Sequence, residues 1–555
     1  MRELAESSLR LHLGAVDDVI VLLYFVTVLG VGLVARRAVR TSNDFFLSGR
    51  ALPAWVTGLA FVSANLGAIE MLGMAANGAQ YGAMTLHYYW VGAIPAMVFL
   101  GLVMMPFYYG SQVRSVPEYL RRRFNDQAHL FNAITFAVAQ LLIAGINLFA
   151  LALVVHDLLG WPLWTAILVA AAVVLAYITL GGLSSAIYNE VLQFFVILAG
   201  LLPVTIVGLV RVGGINGLAE KVRQSSLGDA GLHTWSGTAS SGNPLAANWF
   251  GIIFGLGFVL SFGYWTTNFA EVQRALSARN MSAARRTPLI AAYPKLLIPV
   301  LTVIPGLVAL VTIHGLGAKT GDLQYNNAIP LLMRDLLPNG VLGIAVTGLL
   351  AAFMAGMAAN ISGFNTVFTY DIWQAYLAKN RPDGYYLSVG RVATVLGVAI
   401  GIGTAFLAAG YNNIMNYLQA LFSLFNAPLF AAFIIALFWK RMTAWAGFWG
   451  LLSGTAAALT VYGLYLAKVL HFGSDLGESF WGAGIGFVVV GVVAALVTAV
   501  TRPKSDEELS GLVWGVGRTR ISAGVLAGDR AWYRNPWLLG GVAMTLAIVL
   551  YVPFW

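Results

Sequence analysis

Apolar residues in this chain fall into long unbroken runs, without the alternation that half-buried strands show. Fourteen runs are candidates: about 17–36, 54–78, 84–109, 131–155, 161–180, 185–211, 247–272, 288–313, 339–373, 387–409, 414–438, 444–467, 480–500 and 537–554. A helix of about 20 such residues crosses a hydrocarbon core of about 30 Å. The runs are too long for a transmembrane β-barrel and lack its period of two. The longest polar stretches are short: about 212–246, with SSLGDAGLHTWSGTASSGNP, predicts a loop, and about 501–536 a solvated basic connector. Neither has room for a separate catalytic domain. The first fifteen residues mix both charge signs and lack an apolar core before a small-residue cleavage site, so no signal peptide is expected.

Basic residues then orient the spans. Of the 32 Lys and Arg, 22 fall after the first, third, seventh, ninth, eleventh and thirteenth runs, eight on the opposite side, and two, Lys295 and Arg391, within runs. The positive-inside rule places the 22 in the cytoplasm and both termini outside, in a multi-pass protein of the plasma membrane. Composition agrees: 59% of residues are hydrophobic and 10% charged, with a mean hydropathy of +0.78, where soluble domains carry about 25% charged residues. The net charge of +9 is therefore an orientation signal, and no nucleic-acid partner is expected. With no cysteine, disulfides and thiolate chemistry are excluded.

Polar groups at bilayer depth are costly and mark function by default. The second run carries Asn65, Gly67, Glu70 and Gly73. On a continuous helix Asn65 and Glu70 lie about 140° apart; unwinding around Asn65–Gly67 would let both reach one cavity and free carbonyls for a cation. The competing reading is close helix packing at the glycines, with Glu70 paired to a buried base. The seventh run repeats the pattern with Gly263, Asn268 and Glu271, as an inverted repeat of spans two to six on seven to eleven predicts. Glu271 is expected either to act in the cavity or to pair with Arg274 at the cytoplasmic end. Lys295 either snorkels or lines the cavity, with the cavity favoured. Glu190, Gln419 and the run His87, Tyr88, Tyr89 are further candidates; Tyr88 reads as interfacial, while His87 could relay protons. No GxxxxGK[ST], HExxH or GxSxG string occurs, so neither ATP-driven transport nor an enzyme is expected.

Seven strings in order, DFFLSGRALPAW, SVPEYLRRRF, YITLGGLSSAIYNEVLQ, GYWTTNFAEVQRALSARN, PKLLIPVLTVIPG, NTVFTYDIW and FWKRMTAWAGFWGLLSG, resemble the sodium:solute symporters, the family of the sodium/glucose transporters. The resemblance runs from about residue 17 to 500. It implies an all-α integral membrane protein of LeuT type: two inverted five-helix repeats among about 14 transmembrane helices. The corresponding division is 1–53 (N-terminus, first helix and loop), 54–212 (first repeat), 213–246 (extracellular loop), 247–438 (second repeat) and 439–555 (three further helices with a basic connector).

The resemblance also implies site residues. The family's sodium site would fall on backbone carbonyls of Ser63, Leu66 and Ala352 and on two hydroxyl positions that are here Ala355 and Gly356, so both hydroxyls are missing. Asn360, one turn on, could donate only through a register shift, and Ala352, Ala355, Gly356 and Ala359 read equally as a tight helix seam. A further acidic position linked to cation coupling matches Glu190. Of the sugar-binding pattern, Asn65, Asn268, Lys295 and Gln419 are retained, while its acidic residue becomes Tyr89 and an amide becomes Glu70. The expected function is import of a small polar organic solute, a sugar or polyol being favoured, by alternating access, with Tyr89, Tyr264 and Trp265 closing over it. Two coupling schemes stay open: Na+ at a degraded site, or H+ or the solute gradient alone, with Glu70, Glu190 or Glu271 carrying protons. A transport-inactive membrane sensor is the competing class. No cofactor beyond Na+ or H+ is expected, and the partners are the solute and the bilayer.

Overall fold

The computed structural model describes residues 14–36, 41–67, 69–159, 161–240, 242–318, 323–516 and 529–555. Arg2, Arg10, Arg37, Arg40, Lys319, Arg518 and Arg520, which entered the orientation argument, lie outside the described residues, as do parts of the N-terminal segment and of the 501–536 connector.

Each of the fourteen runs corresponds to a helical element. We number them α1 (Ala15–Arg36), α2 (Ala54–Asn65 with Ile69–Leu86), α3 (Tyr88–Gly110), α4 (Asp126–Leu159), α5 (Leu163–Ala176), α6 (Gly182–Val212), α7 (Gly251–Thr267 with Phe269–Leu276), α8 (Met281–Thr312), α9 (Val341–Leu377), α10 (Asp383–Ala408), α11 (Ile414–Phe438), α12 (Ala444–Leu466), α13 (Asp475–Val500) and α14 (Pro536–Phe554). Eleven are long and apolar enough to cross a membrane by themselves; α2 and α7 qualify as bent pairs, and α5 is shorter. The α5–α6 corner turns at Gly182, with φ +56°, where a Cβ would lie 2.5 Å from the Phe45 ring. Only glycine satisfies both the conformation and the close approach.

Solvation follows the bilayer. Val16, Val19, Leu22, Leu23 and Val26 of α1 and Trp537, Ile548 and Val549 of α14 are exposed, as lipid-facing surfaces require, whereas α9 is buried along almost all of Val341–Val367. Small residues let α9 approach its neighbours: a Cβ on Gly200 of α6 would meet Gly348 Cα at 2.9 Å, the close packing by which membrane helices associate.

The connectors gather at two ends, alternately along the chain. At one end Leu52 bridges Ala278, Arg123 donates to the carbonyls of Ala436, Trp439 and Met442 at the C-terminus of α11, and Trp514 N–H reaches Leu437 O at 2.8 Å. At the other, Thr234 N–H donates to Phe554 O at 2.7 Å, Ser474 Oγ to Leu245 O at 2.5 Å and Gly340 N–H to Asp17 Oδ1 at 2.7 Å. This is the alternation that the basic residues predict.

Candidate functional site

Two helix breaks build the centre. α2 stops at Asn65, where Leu66 leaves helical geometry (ψ 37°) and its N–H is shared by the carbonyls of Val62 and Ser63; the chain bends by 57° before α2 resumes at Ile69. α7 stops at Asn268, extended at ψ 110°, and bends by 49°. Asn268 Oδ1 accepts from Ala270 N–H at 3.1 Å, capping the second half as asparagine does at helix N-termini. Gln140 of α4 donates to the same oxygen at 3.2 Å. Asn268 thus lines the cavity with its carbonyl oxygen already committed to the break.

Between the breaks lies a cavity with about 790 Å³ of atom-free space, its mouth included. Asn65, Glu70, Tyr89, Asn268, Lys295 and Gln419, six separate sequence candidates, all line it, as do Tyr88, Asn147, Tyr264, Trp265, Glu271 and Asn360. Lys295, 2% exposed, donates to Glu70 Oε1 at 2.7 Å and to Asn65 Oδ1. Its ammonium also stands 4.9 Å from the Tyr89 ring centre and 5.3 Å from that of Trp265, within reach of a cation–π contact. Lys295 therefore faces the cavity and does not snorkel. The α2 break is what lets Asn65 and Glu70 converge on one ammonium. Tyr89 OH exchanges a hydrogen bond with Thr302 at 2.9 Å, and Gln419 Nε2 reaches Met415 Sδ at 3.4 Å while its Oε1 has no partner among the described residues.

A second chain of contacts descends from this cluster. Asn65 Nδ2 donates to Tyr264 OH at 2.8 Å, and Tyr264 donates to Glu271 Oε1 at 2.6 Å. Glu271 does not pair with Arg274, as one sequence expectation had it. Arg274 forks onto Glu190 of α6, Nε to Oε2 at 3.2 Å and a second nitrogen to Oε1, and donates to Ala270 O at 2.6 Å; both members are 0% exposed. Beside them Gln273 donates to Phe46 O at 2.8 Å and Thr366 Oγ1 at 2.9 Å, so a polar layer ties α6, α7 and α9 under the cavity. The fork satisfies the guanidinium and leaves Glu271 to the tyrosine.

Two further expectations change. Tyr88, read as interfacial, lines the cavity, at the first position of α3 and with its ring against Phe480 of α13. His87 is fully buried outside the cavity lining, bonded to Tyr551 at 2.8 Å and to Thr234 O at 2.6 Å; it fastens α3 to α14. Sequence reasoning missed Asn147 and Gln140. Both are amides in an apolar run, seven residues or about two turns apart and so on one face, which was the available signal.

At the positions of the implied cation site, a Cβ on Gly67 would lie 3.0 Å from Gly356 Cα and 2.9 Å from Asn147 Oδ1. The two backbones touch there, forming a tight seam between α2 and α9 with the Asn147 amide against it. Ala352 and Ala355 are 0% exposed on the same helix, Asn360 Nδ2 is turned to Gly356 O at 2.9 Å, and Ser63 Oγ is buried with no partner among the described residues.

Comparison with known proteins places this architecture. The chain is 27% identical to a sodium/glucose cotransporter of Vibrio parahaemolyticus over 99% of this chain and 100% of that one, and 29% identical to sodium/myo-inositol cotransporter 2 of Oryctolagus cuniculus over 91% and 80%. Among solved structures, it superposes on a Na+-coupled sialic acid symporter with a TM-score of 0.75 at 20% identity, covering 89% of this chain and 99% of that one. A nucleobase-cation-symport-1 family transporter follows with a TM-score of 0.52 at 15% identity, covering 86% and 99%. These are LeuT-type folds, and the all-helical, multi-pass architecture with two broken spans is shared. The sodium:solute symporter family model matches residues 45–454, and the chain belongs to that family: it is a membrane transporter, not an enzyme.

Proposed function

We propose that the protein imports a small polar organic solute, a sugar or polyol, by alternating access around the cavity between the α2 and α7 breaks. The observation that carries this reading is the Asn65–Glu70–Lys295 cluster facing the rings of Tyr89 and Trp265. A carboxylate, an ammonium and an amide suit the several hydroxyls of a polyol, and aromatic faces suit its C–H surfaces. Glu70 and Lys295 neutralise each other, so the cluster favours a neutral solute. Gln419 Oε1, unpartnered among the described residues, is an acceptor for a hydroxyl. Glucose and myo-inositol in the relatives' names agree in chemistry.

In this reading 54–212 and 247–438 are the inverted repeats, the Arg274–Glu190 layer closes the cavity on the cytoplasmic side, and both termini face outward. Na+ remains the family's coupling ion. The positions that would hold it here supply the carbonyls of Ser63, Leu66 and Ala352 and one hydroxyl, Ser63 Oγ, unpartnered among the described residues, but no side-chain oxygen from Ala355 or Gly356. That is fewer oxygens than a hard cation prefers.

Counterflow of labelled hexoses and inositols in proteoliposomes tests the solute class. We expect exchange of at least one of them, and its loss in Lys295→Ala; exchange of none in the wild type overturns the reading.

A further inference from the structure

The buried charges around the cavity do not balance. Glu70 is matched by Lys295 at 2.7 Å, and Glu190 by Arg274. Glu271, 2% exposed, is the fifth ionisable group. Its only hydrogen-bond donor among the described residues is the Tyr264 hydroxyl, and its Oε2 is buried with no partner. Each basic group within reach is already committed: Arg274, one turn away on α7, is forked onto Glu190, and Lys295 of α8 is held by Glu70 and Asn65. The other titratable groups packed around this turn add no positive charge. Tyr264 donates to Glu271 itself, and Tyr108 of α3 donates to Thr266 O at 3.0 Å. An isolated carboxylate in such surroundings neutralises rather than stay charged.

We propose that Glu271 is a proton-binding site and that the solute is carried with a proton on it. The proposal rests on the transport reading above and adds the coupling ion. Glu271 lines the same cavity as the solute cluster, so a proton reaches it from whichever side the cavity faces. Without that proton, reorientation would close the protein over an unbalanced charge, which is costly; with it, the groups in and beneath the cavity form two internal pairs and carry no net charge. On loading, one O–H bond of a hydronium ion in the facing solution breaks and one forms on Glu271; on release that bond breaks and the proton returns to water on the far side. Tyr264 joins the two events, since one hydroxyl accepts from Asn65 at 2.8 Å and donates to Glu271 at 2.6 Å. A solute that draws Asn65 toward itself thereby alters the hydrogen bonding of the proton site.

The test uses purified full-length protein with Glu271→Gln and, as a control, Glu478→Gln. Glu478 is a buried carboxyl on α13 outside the cavity lining. Infrared spectra without any solute should show protonated-carboxyl absorption near neutral pH with a component that Glu271→Gln removes and Glu478→Gln leaves; no difference between wild type and Glu271→Gln overturns the proposal, whatever the solute proves to be. In sodium-free proteoliposomes, a one-unit pH gradient should accumulate a neutral solute about tenfold with one proton per molecule and acidify the lumen. In Glu271→Gln accumulation falls to equilibration while counterflow persists. Uptake driven by sodium with no movement of protons overturns the proposal. Absent counterflow in the wild type instead overturns the transport reading, and the infrared band then decides the proton site alone.

Discussion

The two broken helices invite direct comparison. Each stops at an asparagine, Asn65 or Asn268, and each carries a carboxylate within the next turn or two, Glu70 or Glu271. In the first break the asparagine side chain is turned into the cavity, and the carboxylate meets Lys295. In the second the asparagine caps its own helix, and the carboxylate meets only a tyrosine. The basic residue nearest to Glu271 in sequence, Arg274, is taken by Glu190. Similar local sequences thus yield one balanced site and one unbalanced site. Proximity along the chain does not assign ion pairs; the packing of a third helix does.

The largest effect should come from breaking the balance at the first site. Lys295→Met strands Glu70, and losing one partner of a buried pair costs about 3–5 kcal/mol; we expect a marked drop in melting temperature in detergent. Glu70→Gln with Lys295→Met should restore much of the stability without restoring solute exchange. Equal melting for single and double variants would show that the pair is not what holds the break.

Glu271→Gln sharpens the contrast. It keeps the Tyr264 hydrogen bond to a side-chain oxygen and removes no partner from a cation, so its melting shift should be small beside that of Glu70→Gln, which strands Lys295. Comparable losses in both would end the distinction between the breaks.

Tyr264→Phe cuts the link between them. Loss of one buried hydroxyl leaves Asn65 Nδ2 and Glu271 Oε1 short of a partner, at about 1–3 kcal/mol, and solute affinity measured by counterflow should weaken by about tenfold or more. At the seam, Gly67→Ala would push a methyl toward Gly356 Cα and the Asn147 amide; overpacking of this kind costs about 1–3 kcal/mol, read as lower thermal stability, with a greater effect than Gly403→Ala, where a Cβ meets nothing within 4 Å.

A carboxylate outside the spans gives the smallest effect. Burial opposes the charge of Glu118, yet the Arg114 N–H at 2.7 Å and the Arg114 and Arg122 charges prevail and hold it below the usual glutamate range. Its stabilisation is present above the unfolded value and is lost as pH falls through the lower folded value. Glu118→Gln should remove that acid-limb dependence and little else, since its arginine partners are solvent-exposed and pairs of that kind contribute about 0.2–1 kcal/mol.

Much of the site was legible from residue type alone. Asn65, Glu70, Lys295 and Gln419 stood out because polar groups are scarce in apolar runs, and the cavity gathers all of them. Tyr88 was misread because aromatic residues near a span end look interfacial, and the packing that puts it on the cavity wall has no composition signature. For Glu271 the sequence left two readings, the cavity or Arg274, because a spacing of three residues also suits a helical pair; Glu190, 84 residues from Arg274, takes that guanidinium.

What the sequence by itself determined is the order of the apolar helical elements and the places where two of them break. The bilayer imposes those through length, hydropathy and the cost of polar groups, all of them local quantities. What only the tertiary structure decided is which buried charges meet. Glu70 and Lys295 lie 225 residues apart, and partners at that distance are chosen by helix packing, which brings one ammonium to the first break and none to the second.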